Sequence, residues 1–183
     1  MNKTFTLQAS LLTAAFLLWP SVQAQSMTKV DYKASKARIS AAYKADKSAC
    51  ASLADNAKDV CVEEAKAKEK VARADLEYGY TGKAGDRNKA RVVKAETVYA
   101  VAKERFDDLA GNPKDVCVKE AKAVKVSALA DAKLGKDIGD ARSDAAADKQ
   151  NANYKVAAEK CEALAGDAKI ACVAAAKASF GKN

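Results

Sequence analysis

The chain has 183 residues, with 32 lysines and arginines against 24 acids, a formal net charge of +8 and no histidine at all. That absence removes the usual general base, the usual proton shuttle and the commonest metal ligand together. Beyond the first 24 residues, about a sixth of the side chains are Leu, Ile, Val or Phe, too few for a thick core with a deep pocket.

Residues 1–24 have the three-part form of a secretory signal. A single lysine is followed by the apolar run "LLTAAFLLW" and by small residues at Val22 and Ala24. The run is too short to cross about 30 Å of hydrocarbon, so a cleaved leader is expected rather than a membrane span. Without this segment, which carries one lysine and no acid, the charge falls from +8 to +7. An exported, periplasmic chain forming one helical repeat domain over 25–183 is the expectation.

Segment 27–42 reads as a leading half-helix, because "YKASKARISA" echoes "YKADKSACAS" eleven residues later on nearly the same helix face. From there the chain repeats with a period of about 55 residues. Tyr43, Tyr99 and Tyr154 stand at equal distance before Cys50, Phe106 and Cys161, and Cys61, Cys117 and Cys172 follow at equal distance again. Asp75 and Asp131 correspond, as do Gly79 and Gly135. The copies span about 43–98, 99–153 and a partial 154–183. Alanine, lysine and glutamate dominate, and no run of alternating β-branched residues occurs, so helix is expected nearly throughout. The clearest loop is "EYGYTGKAGD" (77–86), with three glycines. At its counterpart, "LGKDIGD" (134–140), the sequence allows either a break or a kink.

Each copy holds one tight corner: "LADNAKD", "LAGNPKD" and "LAGDAKI". Gly111 and Gly166 suit the left-handed conformation that ends a helix, and Asp55 tolerates it. Asn56, Asn112 and Asp167 then suit the cap of the next helix, with Pro113 at its first position. The corner joins two antiparallel helices, which sets Cys50 level with Cys61 and Cys161 level with Cys172. Both pairs are expected as disulfides, each stabilising by roughly 3 kcal/mol in the chain-entropy account. Zinc is a poor reading of these cysteines, since CxxC spacing and histidine are missing and they come two to a corner. The middle copy has Phe106 where a partner for Cys117 is expected. Its thiol either packs against that ring or joins two molecules. The expected fold is therefore all-α: elongated antiparallel hairpins with stapled corners.

The stretches "DLAGNPKDVCVKEAKA" (108–123) and "YKVAAEKCEALAGDAKIACVAAAKASFGK" (154–182) resemble a set of exported, Ala/Lys-rich proteobacterial proteins often labelled TolA-like cell-envelope biogenesis proteins. The resemblance implies an envelope location and brings no residue roles with it.

Chemistry-bearing motifs are missing. "YGYTGKAGD" fails the GxxxxGK[ST] phosphate-loop pattern, and EF-hand spacing is absent. Glu63/Glu64 and Asp107/Asp108 read as solvated surface acids among lysines. No cofactor, no metal and no catalytic residue is expected. The expected role is non-enzymatic support or interaction at the envelope. The positive charge suits an anionic component such as lipopolysaccharide, an acidic wall polymer or an acidic protein. Nucleic acid is a poor partner, since platforms of aromatics with arginine are missing. The rival reading is a periplasmic holdase for unfolded clients, which requires an exposed apolar patch.

Overall fold

Alanine is the best helix former and has almost nothing to bury, and both properties shape this molecule. The computed structural model describes residues 27–182, so the expected leader lies outside the described residues. Helix α1 (Lys29–Ala49) starts at Thr28, whose Oγ1 accepts from the Asp31 N–H at 3.1 Å and donates to the Asp31 carboxylate. It runs unbroken through 42–43. The expected leading half-helix and the opening of the first copy are thus one element, since nothing between them stops a helix.

A short 3-10 turn (Cys50–Ser52) and two residues carry the chain into α2 (Asp55–Thr81). Here the expected ten-residue loop shrinks to two residues. Gly82, at φ +64°, ends α2 by donating its N–H to the Tyr78 carbonyl at 2.8 Å, and only Lys83 separates it from α3 (Ala84–Arg105). A left-handed residue closes a helix cheaply only where it has no Cβ. Thr81 steadies the turn, its hydroxyl accepting from the Lys83 N–H at 3.2 Å and donating to the Asp86 carboxylate at 2.6 Å.

The second copy behaves differently. Helix α4 (Gly111–Cys161) continues for 51 residues, about 76 Å, through Gly135 and Gly139 without a break. Counting from Cys61/Cys117 and Gly79/Gly135, the residue in Gly82's place is Ile138. A β-branched side chain resists the left-handed conformation, so the helix has no stop signal there and goes straight on. Helix α5 (Gly166–Ser179) then folds back along the far end of α4.

Each helix packs only against its neighbours in sequence, giving one open layer. Helices α1, α2, α3 and the start of α4 lie side by side, and the rest of α4 projects away to carry α5. Among the described residues there is no strand, and no helix is long and apolar enough to cross a membrane. Burial is correspondingly thin. Among the described residues, the buried side chains are Cys50, Cys161, Thr97 and five alanines: Ala65, Ala90, Ala95, Ala132 and Ala176. Thr97 is satisfied inside its own helix, its hydroxyl donating to the Val93 carbonyl at 2.8 Å.

The two turn positions make a paired prediction. Gly82→Ala should cost about 1–2 kcal/mol, because its Cβ meets the left-handed penalty although the space around it is open. Gly139→Ala, in open space at helical geometry, should instead gain about 0.5–1 kcal/mol. Urea melts of the two variants check both signs.

Candidate functional site

The three corners share one backbone. The first helix of each ends early, in a turn closed by the N–H of Leu53, Leu109 or Leu164 donating to the carbonyl of Cys50, Phe106 or Cys161. An extended alanine follows (Ala54, Ala110 or Ala165), and then Asp55, Gly111 or Gly166 at φ +48°, +61° and +53°. These three residues therefore open the second helix rather than close the first, which corrects the capping assignment. Asn56, Asn112 and Asp167 fall one residue inside the second helix. The cap positions are alanines, and no side chain bonds the first turn there. The left-handed residue has already turned the chain, which leaves the following side chain no place outside the helix end.

Two corners are stapled. Cys50–Cys61 and Cys161–Cys172 each bring their α-carbons to 5.7 Å, within the usual disulfide range. Cys50 and Cys161 are the most enclosed side chains described, at 1% and 0% exposure. Cys117 is a free, half-buried thiol, and Phe106, half-buried, caps the end of α3.

The second and third corners each carry a local ion pair. Lys114 Nζ lies 2.9 Å from the Asp107 carboxylate, and Lys169 Nζ lies 2.7 Å from the Glu162 carboxylate. Both pairs link the end of one helix to the first turn of the next. The visible signal was an acid just after the Phe106/Cys161 position and a lysine three residues past the corner glycine. The first corner has Ala51 and Lys58 there and lacks the pair. The unstapled corner thus keeps an ionic tie, and Asp107 and Lys114 are not merely solvated. The Lys114 hydrogen bond and charge hold the Asp107 carboxyl below its ordinary range. Glu63 and Glu64 are also engaged, with Lys66 at 2.9 Å and with Arg105 on α3 at 2.5 Å.

The far hairpin is pinned at both ends. Opposite its disulfide, Gln150 Nε2 donates to the Phe180 carbonyl at 2.9 Å, Lys182 bonds Asn151, and the Tyr154 and Phe180 rings meet edge to face. In the first hairpin Tyr32 stacks on Tyr80 with centroids 4.4 Å apart and donates its hydroxyl to Glu77.

The layer leaves two open grooves. One, of about 550 Å³, has α2 as its floor and α1 and α3 as walls, with Tyr32, Arg73, Glu77, Asp86, Val93 and Thr97 along it. The other, of about 600 Å³, lies between α3 and α4 and is mostly apolar, lined by Ala95, Val98, Ala102, Ala121, Val124 and Ala128. Among the described residues, no three His, Cys, Asp or Glu side chains converge in a way that could hold a metal ion. No protein-family model matches this chain, and neither a curated protein nor a solved structure is similar to it.

Two outcomes follow from the corners. Replacing Cys161 and Cys172 together by serine should lower stability by roughly 3 kcal/mol and release α5, since a 14-residue helix is marginal alone. Hydrogen exchange over 166–179 reads the release. In the second corner the folded pKa of Asp107 is depressed, so its contribution is present above the unfolded carboxyl pKa of about 3.9 and is lost as pH falls through the folded value. An NMR titration should place Asp107 below an ordinary aspartate, and Lys114→Met should return it there. No response to Lys114→Met would refute the ionic tie.

Proposed function

We propose that this protein is a non-enzymatic helical spacer and interaction protein of the cell envelope, exported to the periplasm by its leader. The observation that carries the reading is the combination of an open single layer with a rod. A layer whose buried side chains are no larger than threonine is nearly all surface, and α4 spans about 76 Å to hold a second hairpin away from the first three helices. Reach and surface are what a spacer or adaptor uses. The excess of lysine suits an anionic envelope component, and the resemblance to exported Ala/Lys-rich envelope proteins points the same way.

A second reading, a holdase for unfolded clients, is favoured by the apolar groove between α3 and α4, where Val98 and Val124 are each 61% exposed. The two readings part on specificity. Photo-crosslinking residues at Val126 and Ile170, both exposed, should capture one recurrent envelope component in living cells. A scatter of unfolded clients, together with near-stoichiometric suppression of aggregation by the purified chain, would replace the adaptor by the holdase. A turnover abolished by one conservative substitution would defeat both.

A further inference from the structure

The pair α2–α3 shows how the second half of one copy meets the first half of the next. Asp75 bonds Lys94 at 2.9 Å, and Glu64 bonds Arg105 at 2.5 Å. The two acids are eleven residues apart on α2 and the two cations eleven apart on α3, so a single antiparallel register satisfies both. Followed along the chain, Glu64 and Asp75 correspond to Glu120 and Asp131. Lys94 and Arg105 correspond to Lys149 and Lys160. Both acids recur, and both cations recur in charge.

In the first copy Gly82 folds the two halves together. In the second copy Ile138 stands in its place, and the corresponding halves lie end to end on the straight α4. The acids at one end of this helix cannot meet the cations at the other within one chain. They can meet in a second copy. An antiparallel α4 sets Glu120 against Lys160 and Asp131 against Lys149, each pair formed twice about a two-fold axis beside Asp140, which is midway between the members of both pairs.

The rest of the stripe fits this register. Positions 120, 124, 131, 135, 138, 142, 145, 149, 156 and 160 recur on one helix face at steps of three, four or seven residues. The axis places Val124 opposite Val156, Gly135 opposite Ala145 and Ile138 opposite Arg142. Val124, Val156 and Ile138 are 61%, 56% and 44% exposed in the single chain, and every residue from 141 to 150 is exposed. Ala145 is small and exposed at the centre, while Gly135 opposite it lies under the Arg91 guanidinium of α3 in the same chain. A parallel pairing would place acid on acid, and a two-fold contact closes on itself rather than growing into a filament. We infer that the protein forms a closed antiparallel homodimer through α4, remaking between chains the contact that α2 and α3 make within one.

This inference does not rest on the envelope role. Its test uses the oxidised mature chain with Cys117→Ser, which removes the free thiol and with it any disulfide-linked dimer. Sedimentation should show a dimer at micromolar concentration. Asp131→Lys should weaken it about a hundredfold, by placing like charges at two symmetric sites, and Lys149→Asp should do the same. Combining the two should restore the dimer to within a few-fold. Circular dichroism confirms that the exposed substitutions leave the helices intact. In the same background, Val124→Cys with Val156→Cys should crosslink two chains, and neither change alone should. A monomer at every concentration would overturn the dimer, as would a dimer indifferent to the single charge reversals. A monomer whose Val156 crosslinks to a different molecule would place another occupant on the stripe and also overturn it.

Discussion

Helices that meet through alanine can approach closely, but each contact removes little apolar area from water. At about 25 cal/mol per Å², an interface of methyl groups leaves a helix pair only marginally held. That constraint sets the rest of the design. The layer has no second tier to add burial, so the chain supplements packing with local ties: a disulfide or an ion pair at each corner, stacked or edge-on aromatics at the hairpin tips, and charge pairs along the helices. Short loops help too, because a tie across a tight corner orders few residues.

The corners illustrate how the ties trade places. Where both cysteines are present, the bridge holds the helices level. Where Phe106 replaces one of them, the Asp107–Lys114 pair remains at the turn. An exposed ion pair contributes far less than a covalent bridge, so the middle hairpin depends more on its neighbours. It has them: α3 lies between α2 and α4. The far hairpin has no such support, and there the disulfide is retained and accompanied by the Glu162–Lys169 pair and the Tyr154–Phe180 contact.

Much of the fold was legible in the sequence because it depends on local and periodic signals. Composition gives helix, and equal spacing about a turn gives Cys50–Cys61 and Cys161–Cys172. The cap residues were misread because a left-handed residue has the same signature whether it closes one helix or opens the next. Only the early end of the preceding helix separates the two cases. The straightness of α4 is ambiguous in the sequence for a related reason. Glycine content suggests a break at 134–140, but a break needs a left-handed residue at one particular place, and that place holds Ile138. The Asp107–Lys114 tie was hidden by abundance, since any acid in this chain has a lysine near it in sequence. The grooves are not legible in the sequence because they belong to the spacing between helices, which no single segment encodes.

The central claim is that one lost left-handed glycine turns a compact stack of hairpins into a layer with an extended arm. A direct measurement is single-molecule energy transfer between dyes at Lys119 and Lys155, at dilutions where intermolecular contacts vanish. A continuous α4 places these residues about 54 Å apart and predicts low transfer. A turn at 134–140 like that at Gly82 would bring them level on adjacent helices, about 10 Å apart, and near-complete transfer would contradict the account.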